Sequence, residues 1–233
     1  MIDGILIIDK EEGITSYDVI RKLKQVLPKE QKIGHGGTLD PFATGVLLVL
    51  LGRCTKLMEK IHTLEKEYIV QAKFGYMTDT QDITGKTISQ SDKTASKEDV
   101  QEYINENLLG NISQVPPLYS AKKVCGQRAY DLAREGKDIS LKPKEIQVKV
   151  FEVINFNWPN ASFRIVCSSG TYVRTLINDL GIGIGTYATA QSLRRTRIGK
   201  FTLDNSIKSD SINNDVIKSI ISTDNIGNMM INE

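Results

Sequence analysis

KEYIVQAKF, residues 66–74, alternates along its whole length. Tyr68, Val70, Ala72 and Phe74 fall on one side and Ile69, Gln71 and Lys73 on the other, which is the period of a strand with one buried face. Working outward, strands are also expected at Ile2 to Asp9, over VLLVLL (46–51), at Lys144 to Phe156 and at Ser162 to Cys167. A helix is expected from Ser16, with Val19, Ile20, Leu23, Val26 and Leu27 on one face. Others are expected from Thr55 to His62, from Ser96 with Asp99 as an opening pair, from Thr171 to Leu180, and from Ala188 to Arg197. Strands and helices mix without a regular βα repeat. The fold class is therefore α+β, a mixed, mostly antiparallel sheet flanked by helices and loops, rather than a doubly wound sheet.

The chain has 233 residues, 40% of them apolar, enough for one or two domains with a packed core. Disorder, collagen and a disulfide scaffold are excluded. A net charge of +2 announces no global polyanion partner, so any nucleic-acid surface must be local. The balance is uneven. Residues 202–233 carry −3 and residues 1–201 carry +5, while 116–150 carry +4, a local basic stretch. Cys54, Cys125 and Cys167 lie far apart without a paired spacing and read as small buried residues in a reducing compartment. MIDGILIIDKEEG has neither a basic leader nor a small-residue cleavage site, and the longest apolar run, Val46 to Leu51, is too short to span a bilayer. These features describe a soluble cytoplasmic protein without membrane association.

Between Lys32 and Gly45 the pattern breaks into KIGHGGTLDPFATG, a glycine-rich loop between apolar elements, where backbone can approach a ligand closely. Asp40 sits in it before Pro41; an Asp-Pro pair is also an ordinary turn signal, so a catalytic and a turn-capping role both stand. His35 in isolation reads as a hydrogen-bonded structural histidine, and Tyr68 as a core aromatic. TDTQDITG, with Asp79 and Asp82, reads as Asx-turns. Arg174 lies in an otherwise apolar helix, where a desolvated charge needs an acidic partner; Asp40 is one candidate. His35 and His62 are not at ligand spacing from cysteines or carboxylate pairs, so no metal is expected. GHGGTLDP is not a Walker loop, and Gly181, Gly183 and Gly185 read as a glycine-rich helix end rather than a cofactor fingerprint.

Five blocks, GHGGTLDPFATGVLLVLLGRCTK, EKEYIVQAKFG with TDTQDITG, VPPLYSAKKVCGQRAYDLAREG, CSSGTYVRTLINDLG and LRRTRIGKF, resemble in order and spacing the tRNA pseudouridine synthase B family, from about Ile5 to Phe201. The resemblance implies a pseudouridine-synthase fold with an RNA-binding insertion at about 110–150, and isomerisation of uridine 55 in the tRNA T loop without cofactor or metal. It implies that Asp40 is the catalytic carboxylate, in a loop shaped by Gly36, Gly37 and Thr38, and that Tyr68 stacks on the target base and is a candidate for moving a proton. It further implies that Tyr172 lines the uridine pocket, Arg174 pairs with the aspartate, His35 holds the flipped-out loop and Leu193 borders the base. The segment through Arg134 then closes on RNA, with Lys122, Lys123, Arg194 and Arg195 as phosphate-contact candidates. The expected layout is a catalytic domain over 1–206 and a short acidic tail over 207–233, without the C-terminal PUA domain of longer members, acting as a monomer on the T stem-loop.

The chemistry fits. An N-glycosidic bond breaks and C5 of the base joins C1′, so the uridine must leave its stack and the freed uracil must be held. A carboxylate adding to C6, one assisting loss of the base from C1′, and a glycal route all remain open. A guide-RNA-dependent relative would carry the PUA domain. A catalytically idle tRNA-binding protein would keep Tyr119, Lys122 and Arg195 but not need Asp40 or Arg174, and a carboxylate hydrolase would need a second catalytic acid.

Overall fold

A computed structural model describes residues 1–120, 122–124, 127–128, 130, 132, 141–223 and 226–227, with the side chains of 123, 124 and 128 left out. Cys125, Arg134 and Lys137 lie outside the described residues, as does the side chain of Lys123. In chain order the elements are β1 (Gly4–Lys10), α1 (Ser16–Val26), β2 (Ile33–His35), β3 (Ala43–Leu51), a 3-10 turn (Gly52–Leu57), α2 (Met58–Thr63), β4 (Lys66–Phe74), β5 (Tyr76–Thr78) and β6 (Thr87–Gln90). Then follow α3 (Lys97–Asn107), β7 (Gly110–Gln114), β8 (Lys123–Val124), β9 (Gln127–Arg128), β10 (Lys144–Asn157) and β11 (Asn160–Cys167). The last are α4 (Val173–Gly183), β12 (Ala188–Ile198), β13 (Phe201–Thr202), β14 (Ile207–Lys208) and a second 3-10 turn (Asn214–Ser219). The chain divides into two compact units, Met1–Ile69 with Leu193–Glu233, and Val70–Ser192.

In the first unit, β1 and β3 pair antiparallel from Gly4↔Leu51 to Lys10↔Gly45, and β2 pairs antiparallel with β3. Both long strands are apolar nearly throughout because both of their faces are covered. Ile5, Ile7, Val46, Leu48 and Leu50 meet Ile61, Leu64, Ile198 and Phe201 in one cluster. α1 begins with a capping box, in which Thr15 accepts the amide of Asp18 and Asp18 accepts that of Thr15, and buries Val19, Ile20 and Leu23 as its periodicity predicts.

In the second unit, β10 pairs antiparallel with β11 and β7, β5 with β6, and β8 with β9. Phe151 and Phe163 meet edge to face at 5.4 Å, and Val100, Ile104, Leu176, Ile177 and Leu180 are buried. β4, the strand first read from its alternation, begins in the first unit and ends in the second, and it buries Tyr68, Val70, Ala72 and Phe74 as expected. The predominance of antiparallel pairs bears out the α+β reading. Cys54 and Cys167 are buried, and no helix among the described residues is long and apolar enough to cross a membrane.

Two expectations are corrected. Ala188 to Arg197 forms not a helix but β12, parallel to β3 at Leu193↔Ala43, Arg194↔Thr44 and Arg195↔Gly45. LRRTR looks solvated in sequence, yet Arg195 takes a buried strand position because nearby carbonyls satisfy its guanidinium. The expected helix over Thr55 to His62 is a 3-10 turn followed by one short helix, α2. The acidic segment after Ser206 is also stitched into the first unit. Ile207 and Lys208 pair parallel to Ile8 and Asp9, Ile221 exchanges both backbone bonds with Ile5, and Val216 and Ile226 are buried.

Candidate active site

In the first unit, the loop between β2 and β3 carries Asp40, and side chains and amides from elsewhere hold its peptide groups. The Ala43 amide donates to the carbonyl of Asp40 at 3.1 Å and the Gly13 amide to that of Pro41 at 2.8 Å. Lys10 Nζ reaches the carbonyls of Glu11, Ile14 and, at 3.3 Å, Pro41. Ser16 Oγ accepts the amide of Leu39 at 2.9 Å and donates to its carbonyl at 3.2 Å. Arg195, only 2% exposed, donates to the carbonyls of Val46 (2.7 Å), Gly37 (3.1 Å) and Thr38 (3.5 Å). Arg195 thus braces the aspartate loop from inside, which corrects its assignment as a phosphate contact.

Close packing makes this brace possible. Gly45 has φ +102°, and a Cβ there would lie 2.1 Å from the carbonyl oxygen of Arg195, so any side chain would push β12 off β3. The register sets Leu193, 7% exposed, across from Ala43, whose amide binds Asp40. His35 ends β2 opposite Val49, and Gly36 donates to the carbonyl of Leu48. Asp40, Leu193 and Arg195 are therefore gathered around the start of β3, with His35 opposite Val49 further along it and Tyr68 buried on β4 of the same unit.

Burial sets the electrostatics. Desolvation pushes the Lys10 ammonium down to about 8, against the pull of the Asp40 carboxylate. Burial, the Arg195 guanidinium and His62 hold His35 below its ordinary value, so its imidazole is neutral at pH 7; its Nδ1 is buried without a hydrogen-bond partner among the described residues.

In the second unit, Tyr172 precedes α4 and Arg174 sits in its first turn, 3% exposed. The acid expected near Arg174 is supplied by Asp82: Nη1 lies 3.2 Å from Asp82 Oδ2, with both side chains 4% exposed. Nη1 also donates to the carbonyl of Thr80 and Nη2 to that of Tyr119. Asp82 Oδ1 accepts the amide of Thr84 and the hydroxyls of Thr80 and Thr84, so the Asx-turn reading holds for this residue while its second oxygen takes the arginine. Gln81 is held at φ +66° between Ala190 and Thr175, which fixes the turn.

Sequence reasoning missed a second partner, Gln114. It is 2% exposed, and its amide exchanges two hydrogen bonds with the peptide of Tyr172, Nε2 to the carbonyl at 3.1 Å and Oε1 from the amide at 2.8 Å. No sequence signal separates this glutamine from a surface one; Asp82 was reachable as an acid that a buried arginine requires.

Among the basic candidates, Arg194 is 42% exposed at the side chain, with Nη2 at 2.8 Å from Asp9 Oδ2 and Nη1 at 3.3 Å from Thr44 Oγ1. Lys122 is partly exposed and donates to the carbonyl of Lys142 at 3.3 Å. Both keep an accessible charge.

Comparison with known proteins matches residues 24–173 to the TruB family pseudouridylate synthase N-terminal domain. The chain is 44% identical over 202 residues to the tRNA pseudouridine synthase B of Fusobacterium nucleatum subsp. nucleatum, covering 87% of this chain and 70% of the relative. It is 41% identical over 221 residues to that of Clostridium tetani, covering 94% and 75%. Among solved structures it resembles a chain of a Cbf5-Nop10-Gar1 complex with a TM-score of 0.71 and 28% identity, over 94% of this chain and 59% of that one.

Proposed function

This chain belongs to the TruB family of pseudouridylate synthases, and we propose that it isomerises uridine 55 in the T loop of tRNA to pseudouridine. Converting uridine in tRNA to pseudouridine is the activity its relatives are named for. Asp40 is the reacting carboxylate. The target uridine is flipped out of its stack, with Tyr68 against its face, Leu193 as a wall and His35 holding the opened loop. Lys122, Lys123 and Arg194 meet the phosphates of the T stem-loop. The protein works as a cytoplasmic monomer, without cofactor or metal.

The observation that carries this reading is the bracing of the Asp40 loop by Ser16, Lys10, Gly13 and Arg195, which spends four separate groups on one short turn. A loop so fixed presents its carboxylate in one place, as chemistry at a single ring atom needs. Tritium release from a T-arm stem-loop labelled at uridine C5 tests it. Wild-type protein should react, and Asp40→Asn should abolish release while keeping RNA affinity within about tenfold, since the amide keeps the shape and loses the nucleophile. Release by Asp40→Asn near the wild-type rate would end this reading.

A further inference from the structure

We propose that Ser16 is a positioning residue for Asp40, acting through the peptide of Leu39; the inference rests on the assignment of Asp40 as the reacting carboxylate. Ser16 occupies the first position of α1, but Thr15 before it does the capping, accepting the Asp18 amide in a reciprocal box. The helix therefore has no need of a second hydroxyl there. Ser16 is nevertheless 2% exposed, and a buried hydroxyl is unfavourable unless both its donor and acceptor are used.

Both are used on one residue. The hydroxyl accepts the Leu39 amide at 2.9 Å and donates to the Leu39 carbonyl at 3.2 Å, standing in for a neighbouring strand at the position directly before Asp40. Leu39 is itself 3% exposed, so water cannot replace the hydroxyl. On the other flank, Pro41 is held by the Gly13 amide and the Lys10 ammonium. The segment 10–16 thus grips the chain on both sides of Asp40, and its Ser16 grip alone can be released without deleting a charge or altering backbone.

Removal should leave the RNA-binding surface intact and let the carboxylate wander. A displacement of about 1 Å at a reacting group costs on the order of 100-fold in rate, so Ser16→Ala should lower the single-turnover rate by roughly 10- to 100-fold. The affinity for the T-arm stem-loop should change by less than about threefold, because no phosphate contact is touched. Ser16→Cys, which keeps the shape with a weaker donor, should fall between.

The test measures single-turnover tritium release, stem-loop affinity and thermal unfolding for wild type, Ser16→Ala, Ser16→Cys and Asp40→Asn. A folded Ser16→Ala with near-normal affinity, a depressed rate and an intermediate Ser16→Cys supports the proposal. A Ser16→Ala rate within about twofold of wild type overturns it, as does a loss that follows the unfolded fraction alone. If Ser16→Ala does not fold, Ser16→Cys decides, and a wild-type rate there refutes the role. An active Asp40→Asn would instead refute the catalytic assignment on which the proposal stands, whatever Ser16 does.

Discussion

Gln114 and Tyr172 are joined as though they were neighbouring residues of a ladder: the glutamine amide gives one hydrogen bond to the tyrosine carbonyl at 3.1 Å and takes one from its amide at 2.8 Å. Gln114→Glu keeps the shape and the acceptor but sets a carboxylate against a carbonyl. Because Gln114 is buried, the expected cost is about 1–3 kcal/mol of stability, together with a fall in turnover larger than the fall in RNA affinity. Urea unfolding and single-turnover rates check it; a variant matching wild type in both would mean the pair positions nothing.

The buried pair of Arg174 and Asp82 predicts a non-additive mutant cycle. Arg174→Leu removes the cation that faces the buried Asp82 carboxylate, and Asp82→Leu removes a charged acceptor of the buried guanidinium, so each single change should destabilise by about 3–5 kcal/mol. The double replacement should lose less than the sum of the two. Additive stabilities in the cycle would deny the coupling.

Lys10 gives stability a pH signature. Its pKa falls from 10.5 to about 8 on folding, chiefly through burial. Below about 8 the cost of burying the charge is fully present; between there and 10.5 the unfolded chain holds a proton that the folded chain has released, so stability rises with pH across that window. Lys10→Met removes this contribution. The gap between wild type and variant should therefore shift in favour of wild type from pH 7.5 to about pH 10, measured by urea midpoints. Parallel curves would show that Lys10 stays charged throughout.

Deleting residues 209–233 removes the Ile221 bridge to Ile5 and the buried Val216 and Ile226. Each buried apolar side chain contributes about 1.5–3 kcal/mol, so the truncated protein should unfold several kcal/mol more easily. RNA affinity measured where it remains folded should be nearly unchanged, because the segment is acidic and would repel phosphate. A stable truncation that no longer binds would show that this segment touches RNA.

What the sequence made legible was what local periodicity encodes. Tyr68 to Phe74 and Val19 to Leu23 bury the faces their spacing announces, and the Ser96 and Asp99 pair opens α3 as a capping box. β12 escaped because two adjacent arginines look solvated until the carbonyls that satisfy Arg195 are known, and those come from a loop far away in the chain. Asp82 read as a turn residue, which it is, but its second oxygen answers a charge 92 positions further on. Gln114 gave no signal, since a glutamine's value lies in the two peptide groups it meets. The site residues that periodicity misread or overlooked are those whose partners are distant in sequence.

The parallel alignment of β12 with β3 also imposes an order of assembly. Thr44 and Arg194 are 150 positions apart, and all of Val70–Ser192 leaves the ribosome between them. β1, β2 and β3 emerge early, but the start of β3, Ala43 to Gly45, lacks its β12 partner until that strand is made, and closing so long a loop is slow. The contiguous second unit is free to fold during that wait. Until then the start of β3 offers unpaired backbone groups, the kind of edge with which another strand can pair.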